Sequence, residues 1–555
     1  MNRPSTTNLL GLVALAALVW FGSTSLASFA ARGNTLPNND EIYHLLAAES
    51  YVADGEFTVG TGTYRRAGIF TQYVATHFGV FGTSLPVAKT SIALVYGLFI
   101  VAIFLSLRTR IGPVPAALSA AFFAISPLGL EYATTVRFYV PQATLFWVGA
   151  FCVYRSVVER RQVVASLIVA LLAWLLAFVL QPVTAVGAVA VVGWAALYLA
   201  FENRKWLARG VSRMSTLQIA AAVLGLLIVA VGVWQSGLVG AALAKYQTQA
   251  LWNQGSRIQY YYWVLTENFN PFWAVYPLAC VLALRRNVPI TVFSAIVFVV
   301  SFVLLSFAGM KEDRYLLFAL PFFFVPLAIA MFEVYVLLGR QIPQILEQAG
   351  LRSGALVRAS TSLVVAGALA FFFISNLGYI DAAKDIVRGQ AKREQPRWDL
   401  LAAEHGGAIN DEAVLITNSP NYALYYLDRL AVAMGASRLQ DGSETGAEFS
   451  RDRRTGVALI SSVDSLNTVL DCSDSVYVVA EDRQWKKNEN TGFPTGVAQV
   501  VESRMTQLET PKSWQLRLFE WKRPADDLLT DEVSGRANCS DHVVEQIART
   551  TQPLP

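Results

Sequence analysis

The chain has 555 residues, of which 54% are hydrophobic and 15% are charged. A soluble globular protein of this length places far more Lys, Arg, Asp and Glu on its surface, so this composition excludes an ordinary soluble protein and is typical of a membrane protein. The formal net charge of +4 is small for the length and gives no support to a nucleic-acid partner.

About eleven apolar segments are long enough, at about 17–25 residues, to cross a bilayer as helices. They predict a polytopic α-helical membrane protein with spans at roughly 8–31, 86–107, 114–130, 143–158, 163–181, 183–201, 216–238, 268–284, 289–308, 315–337 and 359–379. The first segment has two interpretations. Its end at 27–30 resembles the cleavage site of a signal peptide, whereas the length of its apolar run favours an uncleaved anchor.

The orientation of the spans follows from the short loops that keep Lys and Arg, which mark the cytoplasmic side. One set of alternating loops carries Arg108, Arg110, Arg155, Arg160, Arg161, Arg204, Lys205, Arg209, Arg213, Arg285, Arg286, Arg340, Arg352 and Arg358. The opposite loops, at 32–85, 131–142, 239–267 and 309–314, then lie outside with everything after about residue 380. The sequence therefore predicts a multi-pass protein of the inner (plasma) membrane with an extracytoplasmic active site.

The last part of the chain, 381–555, has ordinary polarity and predicts a small extracytoplasmic α/β domain after a transmembrane domain at 1–380. Helix-like stretches at 422–430 and 496–508 alternate with short β-like runs. These runs are Val414–Ile416, Val457–Ile460, Val476–Val479 and Leu516–Phe519. The segment 436–455, rich in Ser, Gly and charge, is predicted to be a loop.

The four cysteines are too few for a disulfide framework. Cys152 and Cys280 lie in apolar runs and are interpreted as inert packing residues. Cys472 and Cys539 lie in the polar region and could pair in an oxidising compartment, although their spacing leaves the pairing open.

The first external loop, 32–85, opens with the acidic pair Asp40 and Glu41 directly after the first span. These carboxylates could simply favour the N-terminus of an amphipathic helix at the membrane surface. Their position also suits a general base and a ligand for a metal or a hydroxyl. Both interpretations stay open at this point.

Charged and aromatic residues also crowd the external loop that follows the third span. Glu131, Arg137 and Tyr139 fall within nine residues there. An arginine suits a phosphate because its planar fork offers paired donors. The alternative is that Arg137 reaches lipid headgroups and the tyrosines belong to the aromatic belt of the membrane.

The external loop at 309–314 carries four consecutive charges, Lys311, Glu312, Asp313 and Arg314, just before Tyr315. Charges between two long apolar spans are costly unless they face a polar cavity or a ligand. Lys311 and Arg314 could together hold a phosphate or a diphosphate. The alternative is that the four charges pair with one another.

The three loops together resemble those of the GT-C superfamily of integral membrane glycosyltransferases. The resemblance lies in an Asp-Glu pair after the first span, a Glu-x5-Arg-x-Tyr loop after the third, and Lys-Glu-Asp-Arg-Tyr leading into the span with Leu320 and Pro321. The branch that is most similar contains the protein O-mannosyltransferases and the bacterial aminoarabinose transferase of lipid A. The Trp-Trp-Asp motif of the related oligosaccharyltransferases is absent from the sequence.

This resemblance implies an inverting glycosyltransferase that takes its sugar from a polyprenyl-phosphate donor. The acceptor would be an extracytoplasmic glycan, glycolipid, lipid A or protein, and membrane lipid would surround the enzyme.

By position in the motifs, the resemblance implies Asp40 as general base and Glu41 as an acceptor-positioning or cation-binding residue. Glu131 matches the second acidic position, near the acceptor, the donor or a metal. The expected phosphate ligands are Arg137, Lys311 and Arg314, with Arg65 and Arg66 closing over the lipid head and Tyr139 and Tyr315 as aromatic support.

No cofactor is required by these motifs, and a divalent cation is left open. His44 and His77 could be metal ligands, but they are interpreted as ordinary polar residues.

The alternative function is a polytopic transporter or flippase for lipid-linked sugars without transferase activity. Transporters place functional charges near the bilayer midplane. The predicted spans are almost free of ionisable residues, with Lys89 and Glu333 near span ends, and this favours the enzyme.

Overall fold

The computed structural model describes residues 36–202, 257–348, 367, 395–409, 413–435, 440–441, 449–485, 496–523, 539 and 547. By its contacts the chain forms two compact units. The first comprises Met1–Arg32 and Lys89–Gln390, and the second comprises Gly33–Ala88 and Ala391–Pro555. The predicted transmembrane domain at 1–380 included the loop 32–85, whereas these contacts group Gly33–Ala88 with the C-terminal residues.

The regular structure of the described residues consists of α-helices, one π-helical turn, two 3₁₀ turns and short strands. The helices are α1 (Asn39–Asp54), α2 (Gly68–Phe81), α3 (Leu85–Ile111), α4 (Pro113–Ala124), α5 (Pro127–Ala133), α6 (Tyr139–Tyr154), α7 (Val163–Leu180), α8 (Thr184–Glu202), α9 (Tyr260–Phe269), α10 (Phe272–Leu284), α11 (Val288–Ser306), α12 (Leu320–Gln348), α13 (Trp398–His405), α14 (Pro420–Leu427), α15 (Val463–Cys472), α16 (Asp482–Trp485) and α17 (Val497–Arg504). The strands are β1 (Thr58–Val59), β2 (Gly62–Thr63), β3 (Val414–Thr417), β4 (Val432–Met434), β5 (Gln440–Asp441), β6 (Ser450–Asp452), β7 (Ala458–Ile460), β8 (Ser475–Glu481), β9 (Thr506–Leu508) and β10 (Leu516–Lys522). A π-helical turn follows α6 at Arg155–Glu159, and 3₁₀ turns lie at Asp313–Leu316 and Lys512–Trp514.

The first unit is helical, and five of its described helices (α3, α7, α8, α11 and α12) are long and apolar enough to cross a membrane. A sixth span results if the bent pair of α4 and α5 counts as one. The predicted segments at 8–31 and 216–238, and that at 359–379 apart from residue 367, lie outside the described residues. The mostly helical prediction is thus confirmed, and the count of about eleven spans stays a prediction.

The side chains of this unit divide into an aromatic interior and an apolar exterior. Phe322, Phe323 and Phe324 of α12 are fully buried, whereas Leu171 and Leu175 of α7 are 59% and 53% exposed. Large leucines exposed along a helix are unfavourable in water and favourable in lipid. This division is that of a membrane protein.

A sharp bend lies between α4 and α5, whose axes differ by 63°. Pro127 disfavours helical backbone at the residue before it, and the Ser126 hydroxyl caps α5 by accepting a hydrogen bond from the Gly129 amide at 3.1 Å. The bend leads the chain into the loop that carries Arg137.

The second unit is built around an eight-stranded sheet in the order β5-β6-β7-β4-β3-β8-β10-β9. The four central strands β7, β4, β3 and β8 run parallel, and β10 pairs antiparallel with β8. Alternate residues of the central strands enter two separate cores, because successive side chains point to opposite faces of a sheet. Ile416 and Val478 face α15 and α17, whereas Leu415 and Val479 share a core with Ile42 of α1. The helix that opens the first loop therefore packs on the C-terminal sheet.

The predicted α/β character of the C-terminal region is confirmed, since β3, β7, β8 and β10 coincide with the four β-like runs. The prediction of a loop over 436–455 is wrong in part, because β5 and β6 fall inside it. Strand β6 buries the polar side chains of Ser450 and Asp452, so a pattern of apolar residues could not indicate it.

A disulfide joins Cys472, at the end of α15, to Cys539, with 5.8 Å between their Cα atoms. The pairing that the sequence left open is thus confirmed. Cys152 and Cys280 are free cysteines, as expected.

Candidate active site

The acidic pair lies in the first turn of α1. Asn38 and Glu41 form a reciprocal cap there. The Glu41 amide donates to Asn38 Oδ1 at 3.0 Å, and the Asn38 amide donates to Glu41 Oε2 at 2.9 Å. Glu41 is buried at 4% exposure, whereas Asp40 is half-buried. Of the two carboxylates, Glu41 thus has a structural task that Asp40 does not share.

Two residues of the C-terminal part of the same unit lie at this turn. The buried Asn421 side chain donates to the Asn39 carbonyl oxygen at 3.1 Å, and the Arg454 guanidinium lies over the Tyr43 ring, 5.4 Å from its centroid. Sequence reasoning missed both residues, because nearly 400 residues of chain separate them from α1 and no local motif marks them.

Both histidines of the first loop have polar partners. His44 is fully buried, with Nδ1 3.0 Å from the Thr71 hydroxyl and Nε2 3.4 Å from the Tyr64 hydroxyl. His77 Nδ1 lies 2.9 Å from the Tyr73 carbonyl oxygen. Within the part of the chain that the structure describes, no group of three or more His, Cys, Asp or Glu side chains could hold a metal ion.

Arg65 and Arg66 follow β2 and are exposed. They are on the second unit with Asp40. Their closure over a lipid head stays a prediction.

The second and third predicted loops meet in the first unit around the ring of Tyr139. The guanidinium carbons of Arg137 and Arg314 lie 5.4 Å and 5.5 Å from the centroid of this ring. The rings of Tyr132 and Tyr315 pack against it at centroid distances of 5.8 Å and 6.2 Å. We call Arg137, Arg314, Tyr132, Tyr139 and Tyr315, together with Lys311 from the loop of Arg314, the cation–tyrosine cluster.

The cations of this cluster differ in burial. Arg137 is 2% exposed and Lys311 is 1% exposed, whereas Arg314 is half-buried. The Lys311 ammonium donates to the Ala308 carbonyl oxygen at 2.5 Å, and burial lowers the pKa of Lys311 below its ordinary value. Buried cations are costly unless hydrogen bonds or counter-charges compensate them. This arrangement is therefore suited to an anion.

Carboxylates and hydroxyls tie the two loops together at the cluster. The Tyr132 hydroxyl donates to Asp313 Oδ1 at 2.6 Å, and the Tyr261 hydroxyl donates to the Glu312 carbonyl oxygen at 3.1 Å. Glu131, the predicted second acidic residue, is half-buried at the end of α5. The charges of 311–314 do pair in part, since Arg314 lies 3.9 Å from Glu312.

Comparison with known proteins adds evidence on the fold. No family model and no curated protein sequence matches the chain. Among solved structures, ArnT from Cupriavidus metallidurans in the apo state is similar with 14% identity and a TM-score of 0.57, over 92% of this chain and 97% of that one. The same protein bound to undecaprenyl phosphate has 14% identity and a TM-score of 0.56, over 93% and 98%.

An archaeal oligosaccharyltransferase, AglB from Archaeoglobus fulgidus, is also similar. This structure, in complex with an inhibitory peptide and a dolichol-phosphate, has 12% identity and a TM-score of 0.55, over 89% of this chain and 72% of that one. ArnT and AglB are both members of the GT-C superfamily. At these identities the comparison shows a shared fold. This fold is the one that the resemblance in the three loops implied.

Proposed function

We propose that this chain, which has the fold of the GT-C superfamily, is an inverting glycosyltransferase that uses a polyprenyl-phosphate sugar. The observation that carries the proposal is the cation–tyrosine cluster. In it, the buried Arg137 and the half-buried Arg314 lie over one tyrosine ring, and the buried Lys311 precedes Arg314 in the same loop. The similar ArnT and AglB structures hold undecaprenyl phosphate and a dolichol-phosphate, and a carrier of that chemistry fits a cationic site in a membrane unit.

The chemical step needs a base for the acceptor and a site for the leaving phosphate. Asp40 takes the proton of the acceptor hydroxyl as its oxygen forms a bond to the sugar C1. The bond between C1 and the phosphate oxygen breaks on the opposite face, which inverts the anomeric carbon. The electron pair of that bond leaves with the polyprenyl phosphate.

Arg137, Lys311 and Arg314 stabilise the charge of this phosphate, both in the bound donor and as it leaves. Because the cations are held in place by burial and by the tyrosine rings, little reorganisation is needed at the moment of reaction. In this proposal Glu131 binds the acceptor or a divalent cation. Arg65 and Arg66 close over the head of the lipid carrier.

The tasks of the two first-turn carboxylates are separable. Glu41 closes the cap of α1 and so fixes the backbone on which Asp40 stands. An additional task for Glu41 at the acceptor is compatible with the cap, because each carboxylate oxygen has two acceptor sites.

The membrane arrangement that we propose has eleven spans, a cytoplasmic N-terminus and an extracytoplasmic second unit in the inner (plasma) membrane. The disulfide between Cys472 and Cys539 supports this placement, because such bonds persist in oxidising compartments. The concentration of Lys and Arg in one set of short loops supports the same orientation.

A transporter is less well supported. The helices α7 and α11 carry no Asp, Glu, Lys or Arg, whereas transporters rely on ionisable groups within their spans. The acidic pair and the charges at 311–314 lie instead in loops or at a helix start outside these spans.

Mass spectrometry of envelope glycans and glycolipids from cells with and without the gene tests the proposal. We expect cells without the gene to lose one sugar from a glycan, glycolipid or protein and to accumulate the matching polyprenyl-phosphate sugar. Unchanged glycans together with an unchanged donor pool would contradict the proposal.

A further inference from the structure

We infer that Arg454 is a positioning residue for Asp40, supplied by the C-terminal part of the second unit to the first turn of α1. The inference rests on the proposed function, since it gives the C-terminal residues a task in the reaction. It is carried by a chain of contacts that runs from a rigid turn at 452–456 to Tyr43 and Asp40.

The turn that bears Arg454 is organised by one buried carboxylate. Asp452 is 4% exposed, and its Oδ1 accepts from the amides of Arg454 and Thr455 and from the Thr455 hydroxyl, each at 2.9 Å. The Gly456 amide donates to the Asp452 carbonyl oxygen at 2.8 Å. These four bonds fix the backbone on both sides of Arg454.

The turn docks against the hairpin of β1 and β2 in the first loop. The Thr61 amide donates to the Thr455 carbonyl oxygen at 2.9 Å. A Cβ on Gly62 would lie 2.8 Å from the Gly456 nitrogen and from the Arg454 carbonyl oxygen, closer than real Cβ atoms approach. The two backbones therefore lie in direct contact, and the hairpin and the turn hold each other.

The Arg454 side chain extends from this turn to the helix that carries Asp40. Its guanidinium lies over the ring of Tyr43, which is 5% exposed and also stacks on Tyr64 with a centroid distance of 5.8 Å. Tyr43 is three residues after Asp40, so the two side chains share a helix face. Arg454 is thereby placed one helical turn from the proposed base.

The charges agree with this placement. Arg454 lies at the surface, but protein groups crowd its guanidinium and by desolvation lower its pKa. The hydroxyl of Tyr43 and the negative charges of Asp40 and Asp452 together more than offset this, and the pKa of Arg454 is raised. Other titratable groups near Asp40 are Glu41 and Tyr43 on its own helix and Tyr422 on α14.

Asn421 holds the same turn from the other side. Its side chain, fully buried on α14, donates to the Asn39 carbonyl oxygen at 3.1 Å. The first turn of α1 is thus fixed at Asn39 by Asn421 and at Tyr43 by Arg454. A base held in this way keeps the orientation that proton transfer needs, and misplacement by about 1 Å costs roughly 10²-fold in rate.

Arg454 also acts on the protonation state of the base. A neighbouring positive charge favours an ionised carboxylate, so Asp40 stays ready to accept a proton at lower pH. Removal of the charge is expected to move the acid limb of the pH–rate profile to higher pH.

The experiment compares Arg454→Gln, Arg454→Lys and the matched control Arg451→Gln, an exposed arginine on β6. Each purified protein is added to membranes from cells that lack the gene, because these membranes hold both the donor and the acceptor. Product is measured by mass spectrometry between pH 3 and 8, with binding of undecaprenyl phosphate and thermal unfolding recorded in parallel.

We expect Arg454→Gln to lower turnover about 10–100-fold, to move the acid limb to higher pH and to leave the binding of undecaprenyl phosphate unchanged. Arg454→Lys should restore the acid limb but only part of the turnover, since Lys keeps the charge without the planar fork. Arg451→Gln should behave as wild type.

Two outcomes would overturn the inference. One is wild-type turnover in Arg454→Gln. The other is a loss of turnover with lowered thermal stability and an unmoved acid limb, which would give Arg454 a purely structural task. Asp40→Asn is assayed beside these variants. If Asp40→Asn is active, Asp40 is not the base and the proposed function fails at that point. If Asp40→Asn is inactive while Arg454→Gln is fully active, only the inference about Arg454 fails.

Discussion

At the scale of single residues, Asp40 and Glu41 are adjacent in sequence and have different surroundings. One interpretation of the sequence was that both carboxylates favour the N-terminus of a helix, and the capping contacts of Glu41 agree with it. The sequence could not assign the cap to Glu41, because that depends on which carboxylate points back to the Asn38 amide.

Matched amide substitutions test this division. Asp40→Asn replaces the carboxylate with a carboxamide, which cannot accept a proton. Turnover should therefore fall by roughly 10²–10⁴-fold with donor binding intact. Glu41→Gln keeps the cap, since Gln serves at this position as well as Glu, and should retain most of the activity. Turnover of both variants in membranes that supply donor and acceptor is the measurement. The reverse pattern would make Glu41 the base.

A pH dependence is expected from Lys311. Because burial lowers the pKa of Lys311, its charge is lost as pH rises towards the ordinary lysine value of about 10.4. The affinity for undecaprenyl phosphate should therefore fall with rising pH, while Lys311→Arg keeps its charge and its affinity over the same range.

The measurement is a binding titration with undecaprenyl phosphate at several pH values between 7 and 10. Lys311→Ala should bind about tenfold more weakly at pH 7 and show a flat pH dependence. Identical pH curves for wild type and Lys311→Arg would exclude Lys311 from the phosphate site.

At the scale of elements, apolar runs and capping residues predicted most of what is local. The helices α3, α7, α8 and α11 fall within a few residues of the predicted spans, because length and hydrophobicity decide a membrane helix. The strands β5 and β6 were missed, because polar residues form them and their pairing depends on neighbours along the sheet.

The contact between the β1–β2 hairpin and the turn at 452–456 offers a test at this scale. In Gly62→Ala the new Cβ meets backbone atoms of the turn at 2.8 Å. Backbone cannot move aside as a flexible side chain does, so we expect a loss of about 1–3 kcal/mol in the free energy of unfolding.

Gly68→Ala is the matched control. A Cβ at this position, the first residue of α2, meets nothing within 4 Å, and Ala favours the helix by roughly 0.5–1 kcal/mol. Denaturant unfolding of both variants gives the comparison. Equal stability of the two would show that the hairpin and the turn do not dock.

At the scale of the whole molecule, the sequence predicted a membrane unit and a C-terminal α/β unit, and it placed the first loop in the membrane unit. Residues 33–88 group with the residues after 391, and Ile42 shares a core with β3 and β8. Such contacts link segments more than 300 residues apart, and no periodicity or spacing encodes them.

The disulfide of the second unit closes a loop of 67 residues. In the chain-entropy model such a loop stabilises the fold by up to about 4 kcal/mol. We expect Cys472→Ser to lower the free energy of unfolding by up to that amount. The double variant with Cys472→Ser and Cys539→Ser should be almost as stable as the single variant, because the disulfide is already absent.

Thiol labelling of the unfolded, unreduced protein provides a second measurement. Only Cys152 and Cys280 should react in the wild type. Labelling of all four cysteines would contradict the pairing.

The central claim, transfer of a sugar from a polyprenyl-phosphate donor, is tested most directly by reconstitution. Purified protein is added to membranes of cells that lack the gene, and the product and the carrier are followed by mass spectrometry and the anomeric configuration by NMR. We predict formation of a glycosylated acceptor of inverted configuration with release of an equal amount of polyprenyl phosphate, and none of either with Asp40→Asn. Movement of intact donor across the membrane without release of polyprenyl phosphate would contradict this account and establish a flippase.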